Sequence, residues 1–326
     1  MTASDRLSRF SENDVLKSVQ YELYNARSRL HPHDIPHAII LAGQPGSGKT
    51  VLSKMYFSRF SNDIAFVNGD DYRNQHPHYQ ELHRIFGTDS VSMVSPFSNE
   101  IANRLISAYS DLRFNLIVEG TGRTVEVPKS TAEQLTEKGY SVEMAVLATR
   151  PEVSLASTLL RYYRMSIAGI LPRATAISAH DLVVGVLPKN LDILATVPQI
   201  SRISIWDREQ QAIYDSSRSS RHPSEALKEY WNAAWSNEEI QSAEESIRKL
   251  KEYEKTYRLG QIATLEEIES RVESRIRVQR SSHTPPKVEP SSTPQLDPDA
   301  IAAACRRSVQ EAVQEPETQE DFEPEQ

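Results

Sequence analysis

A three-layer α/β fold with a mostly parallel sheet is predicted by three observations in this 326-residue sequence. Short apolar runs recur at Ala38–Ala42, Ile64–Asn68, Asn115–Val118, Ser141–Ala148 and Ile203–Trp206. Helix-compatible stretches rather than two-residue turns separate them, which argues for parallel strands covered on both faces. A glycine-rich segment, Gly43 to Thr50, directly follows the first run and leads into Val51-Leu-Ser-Lys-Met-Tyr-Phe57, which reads as the opening of a helix.

In chain order, residues 10–30 read as an amphipathic helix: Ser11 suits the N-cap, and Val15, Val19 and Leu23, with Leu16, share a face. His31-Pro-His-Asp-Ile-Pro36 breaks it before the first strand. After the fifth strand, Gln211-Ala-Ile-Tyr-Asp215 extends the sheet as a short antiparallel edge. From about Pro223 to Val278 the pattern turns helical and heavily charged. Glu239–Tyr257 and Leu265–Val278 read as solvent-facing helices that cap the domain or bind a partner. From Ser281 onward seven prolines and a run of acids predict disorder, with a transient helix over Ala302–Val313 as an alternative. The expected organisation is therefore a nucleotide-binding domain over 1–222, a charged helical extension over 223–280 and a solubilising tail over 281–326.

Charge and composition exclude several classes. The net charge is −8, but Ser281–Gln326 holds ten acidic against three basic residues, so the folded part is almost neutral. That gives no electrostatic case for a nucleic-acid or membrane partner. No apolar run approaches membrane-spanning length, and the N-terminal residues lack the core of a signal peptide. The one cysteine, Cys305, excludes an intramolecular disulfide, and a cytoplasmic location is expected.

Gly43, Gln44, Pro45, Gly46, Ser47, Gly48, Lys49 and Thr50 match G-x-x-x-x-G-K-[ST], the P-loop. Glycines let successive backbone N–H groups turn toward an anion, and the following helix adds its positive end. Lys49 is expected to reach the β- and γ-phosphates, and the Thr50 hydroxyl to hold Mg²⁺. The motif names a nucleoside triphosphate and leaves its use open.

Four further segments bear on chemistry. Asn68-Gly-Asp70-Asp71 ends the second strand, where carboxylates face the ligand crevice of an open α/β sheet. One of the two acids can take a proton from an attacking hydroxyl or hold Mg²⁺; a helix N-cap is the plainer alternative. The third strand ends at Glu119-Gly-Thr-Gly-Arg123, where Glu119 can bear on Mg²⁺ or on a substrate hydroxyl. Arg161, Arg164 and Arg173 lie on a helix, glycine hinge and proline segment, suited to neutralising a transferring phosphoryl group. His76, His78 and His83 have no cysteine partners, so zinc is not expected. Asp181-Leu-Val-Val-Gly185 mimics a GTPase switch motif but follows a helix-like stretch, and no Asn-Lys-x-Asp guanine-reading segment accompanies it. A small-molecule kinase is the reading these residues support.

Over residues 38–215 the chain resembles the zeta toxins, P-loop kinases of bacterial toxin–antitoxin systems. The resemblance rests on the P-loop, Asp70-Asp-Tyr-Arg-Asn-Gln-His-Pro77, Ser95-Pro-Phe-Ser-Asn99 and Ile117-Val-Glu-Gly-Thr-Gly-Arg-Thr124. Arg173-Ala-Thr175, Ala179-His-Asp-Leu-Val-Val184 and Leu187-Pro-Lys-Asn-Leu191 add to it. It implies ATP-dependent phosphorylation of UDP-N-acetylglucosamine at the sugar 3′-hydroxyl and an epsilon-type antitoxin as partner. Carried over by motif, Asp70 is the base, Lys49 and Thr50 serve the phosphates and Mg²⁺, and Arg161 and Arg173 neutralise the phosphoryl group. Glu119, Thr121 and Arg123 would hold the sugar nucleotide. This chain departs from the pattern at Asn103, where relatives carry an acid, and that bears on sugar preference. A kinase for another hydroxylated substrate, and a nucleotide-dependent interaction protein using the charged helices, are the alternative readings.

Overall fold

The computed structural model describes residues 3–282, so the proline- and acid-rich tail, the Ala302–Val313 segment and Cys305 lie outside the described residues. Two helices, α1 (Ala3–Leu7) and α2 (Glu12–Arg27), precede strand β1 (His37–Ala42). Helix α3 (Thr50–Arg59), β2 (Ala65–Asn68), a 3₁₀ segment (Gly69–Gln75), α4 (Tyr79–Phe86) and α5 (Ser90–Asp111) follow. Next come β3 (Leu116–Glu119), α6 (Glu126–Glu137), β4 (Ser141–Leu147), α7 (Pro151–Ile167) and α8 (Ile177–Leu194). The described chain ends with β5 (Arg202–Trp206), β6 (Ala212–Asp215), α9 (Pro223–Asn232), α10 (Asn237–Tyr257) and α11 (Ile262–Ser282).

The six strands form one sheet in the order β2-β3-β1-β4-β5-β6. All neighbours are parallel except β5 and β6, which pair antiparallel as the edge hairpin the sequence predicts. Strand residues alternate between faces. Ala38, Ile40 and Ala42 of β1 pack with Phe97, Ile101 and Leu105 of α5 and Leu187 of α8, whereas Ile39 and Leu41 pack with Leu52 and Tyr56 of α3. That two-sided burial explains why the strands read as continuous apolar runs. Each such fully buried side chain contributes roughly 2 kcal/mol.

The predicted N-terminal helix forms with Ser11 as its cap. The Ser11 hydroxyl accepts from the Asp14 N–H and the Asp14 carboxylate accepts from the Ser11 N–H, a reciprocal box that satisfies two end donors. Asp181-Leu-Val-Val-Gly185 lies inside α8 rather than at a strand end. His76 is buried edge-on against Phe10 and Phe97, with Nε2 3.3 Å from the Ser8 carbonyl oxygen.

The charged helices after Pro223 each carry an apolar stripe. Ile240, Ala243, Ile247 and Leu250 of α10 and Leu265, Ile268, Val272 and Ile276 of α11 pack with Leu155, Leu159 and Tyr163 of α7. Arg150, at the end of β4, anchors the start of this layer. It is 5% exposed and donates to the carbonyl oxygens of Tyr230 (2.7 Å) and Ala233 (2.8 Å) and to the Glu239 carboxylate (2.7 Å). The described residues up to Gln279 belong to one compact unit. Among the described residues no helix is long and apolar enough to cross a membrane.

Candidate functional site

The strand order places the C-terminal ends of β2, β3 and β1 side by side, so residues far apart in sequence meet in one crevice. From β1 the chain enters the P-loop, whose shape depends on close backbone approach. Gly46 has φ +76°, and a Cβ there would lie 2.1 Å from the Ser154 carbonyl oxygen, so only glycine fits. Three side chains hold the loop, its own Gln44 and two from elsewhere. Gln44 Nε2 donates to the Thr149 carbonyl at 2.5 Å, and the Thr149 hydroxyl donates to the Ser47 carbonyl at 2.6 Å. Arg208, in the β5–β6 turn, donates to the carbonyls of Gly46 (2.8 Å) and Ser47 (3.1 Å). With its carbonyls engaged outward, the loop is left to present N–H groups to an anion.

Lys49 ends the loop. Its ammonium donates to the Gly43 carbonyl at 3.0 Å and stands 3.9 Å from Glu119 Oε1 at the end of β3. Burial pushes the Lys49 pKa down and the Glu119 pKa up, while each charge opposes the shift of the other. Asp70 and Asp71 start the 3₁₀ segment after β2, where the Asn68 side-chain oxygen accepts from the Asp70 N–H at 3.1 Å. Asp70 pairs with Arg73 at 2.5 Å, and Asp71 pairs with Arg173 at 3.1 Å. Arg161, on α7, reaches Thr175 Oγ1 at 3.4 Å, and its Nε is buried without a protein partner. Burial presses its pKa down, with Arg173 acting in the same direction and Asp70 and Glu119 opposing. A guanidinium nonetheless stays charged.

Lys49, Asp70, Glu119, Arg161 and Arg173 thus sit within electrostatic reach of one another, as the sequence predicts. Arg164, one turn beyond Arg161, is exposed. Thr50 is exposed in the first turn of α3. Thr121 and Arg123 lie in the loop after β3. The Thr121 carbonyl accepts from the Gly43 N–H at 3.4 Å, and the Arg123 side chain is exposed. Gly122 (φ +70°) lets this loop pack on α8, since a Cβ would stand 2.6 Å from Leu187. Asn190 pins it by donating to the carbonyls of Gly122 and Arg123, both at 2.9 Å. Asn103 is exposed on α5, one turn after Asn99, whose Oδ1 lies 3.5 Å from the Cβ position of Gly69.

Sequence reasoning missed Arg208, Arg73 and Asn190. Arg73 and Asn190 stand within motifs that carry the resemblance, Asp70–Pro77 and Leu187–Leu191, so proximity to those motifs was their only signal. Arg208 has none: it is one arginine in a polar turn.

The chain is similar to several known proteins. The Zeta toxin family model matches residues 22–219. Toxin PezT of Streptococcus pneumoniae is 39% identical over 220 residues, which cover 67% of this chain and 86% of that protein. Toxin zeta of Streptococcus pyogenes is 39% identical over 214 residues, 65% of this chain and 75% of that protein. A solved structure from the PezAT chromosomal toxin–antitoxin system of Streptococcus pneumoniae aligns with TM-score 0.69 at 33% identity, covering 76% of this chain and 99% of that chain. The AvrRxo1-ORF1:-ORF2 complex aligns with TM-score 0.52 at 14% identity, covering 83% of this chain and 92% of that chain, and shares the fold alone. With a family model spanning more than half its length and a relative aligned over two thirds of it, the chain belongs to the zeta toxin family.

Proposed function

We propose that this protein transfers the γ-phosphoryl group of ATP to the 3′-hydroxyl of the amino sugar in UDP-N-acetylglucosamine, and so acts as a toxin that depletes a cell-wall precursor. One observation carries the kinase reading: Lys49, Asp70 and Arg161 converge at the ends of the first two strands and α7. The acceptor's identity is supported by family membership.

The residues fit a nucleotide. Ser47 Oγ and Arg161 Nε are buried polar atoms without protein partners, and a phosphate chain offers acceptors for both. Lys49 would neutralise the β- and γ-phosphates. Mg²⁺, held through the Thr50 hydroxyl, would supply further charge neutralisation between the β- and γ-phosphates. The Asp70 carboxylate takes the proton of the acceptor hydroxyl as its oxygen bonds to the γ-phosphorus. The bond to the β–γ bridging oxygen breaks, and ADP leaves. Arg161 and Arg173 offset charge on the equatorial oxygens. Glu119, Thr121 and Arg123 line the acceptor side.

An antitoxin chain that covers the nucleotide site is the expected partner, supported by the toxin–antitoxin origin of the PezAT structure. Because Asn103 is a neutral amide at the acceptor edge of α5, a different UDP-sugar is the second reading. Purified protein with ATP and Mg²⁺ should add one phosphoryl group, a gain of about 80 Da, to UDP-N-acetylglucosamine within a panel of UDP-sugars, as read by mass spectrometry. Asp70→Ala should abolish the gain. Full turnover by that variant, or phosphorylation of another sugar alone, would overturn the assignment.

A further inference from the structure

A line of hydrogen bonds runs from the last helix to the phosphate loop. Arg271 of α11 donates from Nη1 to Asp181 Oδ1 at 2.9 Å. His180 Nδ1 lies 3.1 Å from the same oxygen, and its Nε2 lies 2.7 Å from Ser154 Oγ. Gln44 Nε2 approaches that hydroxyl at 3.2 Å while donating to the Thr149 carbonyl. His180, Ser154 and Gln44 are all completely buried.

The chemistry gives this line one direction. Asp181 is held ionised: burial favours its neutral form, but the hydrogen bonds from Arg271 and His180 outweigh it. An ionised carboxylate only accepts, so His180 must donate from Nδ1. Burial keeps His180 neutral, so its Nε2 accepts at 2.7 Å from the Ser154 hydroxyl, which shares its one proton with the Pro151 carbonyl at 2.9 Å. Ser154 Oγ then accepts from Gln44. The Gln44 amide cannot be reversed, because the Thr149 carbonyl has no proton to give. The polar atoms between Arg271 and the loop are thus ordered by the charge on Asp181.

We propose that Arg271, Asp181, His180 and Ser154 form a positioning relay that fixes Gln44, and through it the nucleotide-binding shape of the P-loop, so that α11 is a working part of the nucleotide site. Arg271 lies beyond residues 22–219, the span of the family model, so the dependence is one that motif matching does not see. Two further observations place the relay against the loop. The Ser154 carbonyl occupies the space that a Cβ on Gly46 would need. Arg150, which ties α9 and α10 to the end of β4, directly follows Thr149, the residue that holds both Gln44 and Ser47. None of the four relay residues serves the reacting atoms; their role is to orient.

The inference rests on reading this loop as an ATP site, and titration of the full chain with Mg-ATP by calorimetry tests both without needing the acceptor. Arg271→Met and Asp181→Asn should each weaken ATP binding at least fivefold while leaving the melting temperature within a few degrees. Arg271→Lys, which keeps a charge beside Asp181, should stay within twofold of the parent. Glu269→Gln, which breaks the neighbouring ion pair with Lys251 between α11 and α10, should bind as the parent does. Folded Arg271→Met binding within twofold of the parent overturns the relay, as does equal weakening by Glu269→Gln. If Arg271→Met does not fold, Asp181→Asn is read by the same thresholds; if neither folds, the network is a requirement of the fold and the proposal falls. A parent chain that binds no ATP overturns the kinase reading itself, and the relay with it.

Discussion

Arg208 and Gly46 are joined by a 2.8 Å hydrogen bond from Nη2 to the carbonyl oxygen, across 162 positions of sequence. The same side chain reaches the Ser47 carbonyl and the hydroxyls of Thr149 and Ser157. Arg208→Ala removes the charged donor and leaves two loop carbonyls without it. A loss of about 1.5–3 kcal/mol is typical for a hydrogen bond to a charged group. ATP affinity should fall by about tenfold or more, measured by calorimetry, with a smaller change in the melting temperature.

Arg161 offers a test of the phosphoryl-transfer step. Its Nε is buried without a partner, and burial lowers its affinity for its proton while Asp70 and Glu119 oppose that shift. Arg161→Ala should lower kcat by about 10³-fold and should also weaken ATP binding, because its buried Nε lacks any acceptor but the phosphate chain. Arg161→Lys should restore little, because a point charge lacks the planar fork. Single-turnover transfer assays and ATP titration together separate the two effects.

Asp215 on β6 supplies a pH-dependent contribution to stability. Two hydrogen bonds from Arg202, at 3.0 and 2.7 Å, hold its pKa far below the ordinary value, with Ser217 adding two more. A depressed folded-state pKa means stability that is fully present above the unfolded value of about 3.9 and lost as pH falls through the folded one. At pH 7, Asp215→Asn should cost about 2 kcal/mol in chemical denaturation. The difference from the parent should shrink steadily as pH drops below about 4.

Tyr163 tests how firmly the C-terminal helices belong to the fold. Its hydroxyl is buried on α7 and donates to the Glu254 carboxylate, which also accepts from the N–H groups of Gly260 and Gln261 at the end of α10. Tyr163→Phe takes a donor from a buried charge and should destabilise the protein by about 1–3 kcal/mol. One cooperative unfolding transition, shifted as a whole, is the expected readout; loss of α10 and α11 alone, seen by hydrogen exchange, would show that they open separately.

How much of this could be read from residues alone depended on the range of the signal. Lys49, Asp70 and Glu119 were legible because each follows an apolar strand, and strand ends in a parallel sheet share one edge. The antiparallel edge at β6 was legible from its spacing after β5. Arg208 was not, because its partners within the loop are backbone carbonyls, which leave no side-chain pattern in sequence. The apolar stripe of α10 was present as Ile240, Ala243, Ile247 and Leu250, yet the charge around it masked the stripe, and nothing local shows that α7 receives it. Asp181 opens a segment that mimics a switch motif and His180 precedes it, but neither residue's pattern shows that the fold sets them beside Arg271 and Ser154.

The position of β1 in the sheet has a consequence for how the protein comes into being. Both neighbours of β1 lie well downstream: Ala38 pairs with Leu116, and His37 with Ser141. Thr149 and Arg208, which bond to the loop after β1, are made later still. A nascent chain that has exposed only its first hundred residues carries the whole nucleotide-binding motif without the strands and side chains that give it form. Such long-range closure slows folding. A nucleotide site built on this loop would take form only after Arg208, 162 positions beyond Gly46, has left the ribosome.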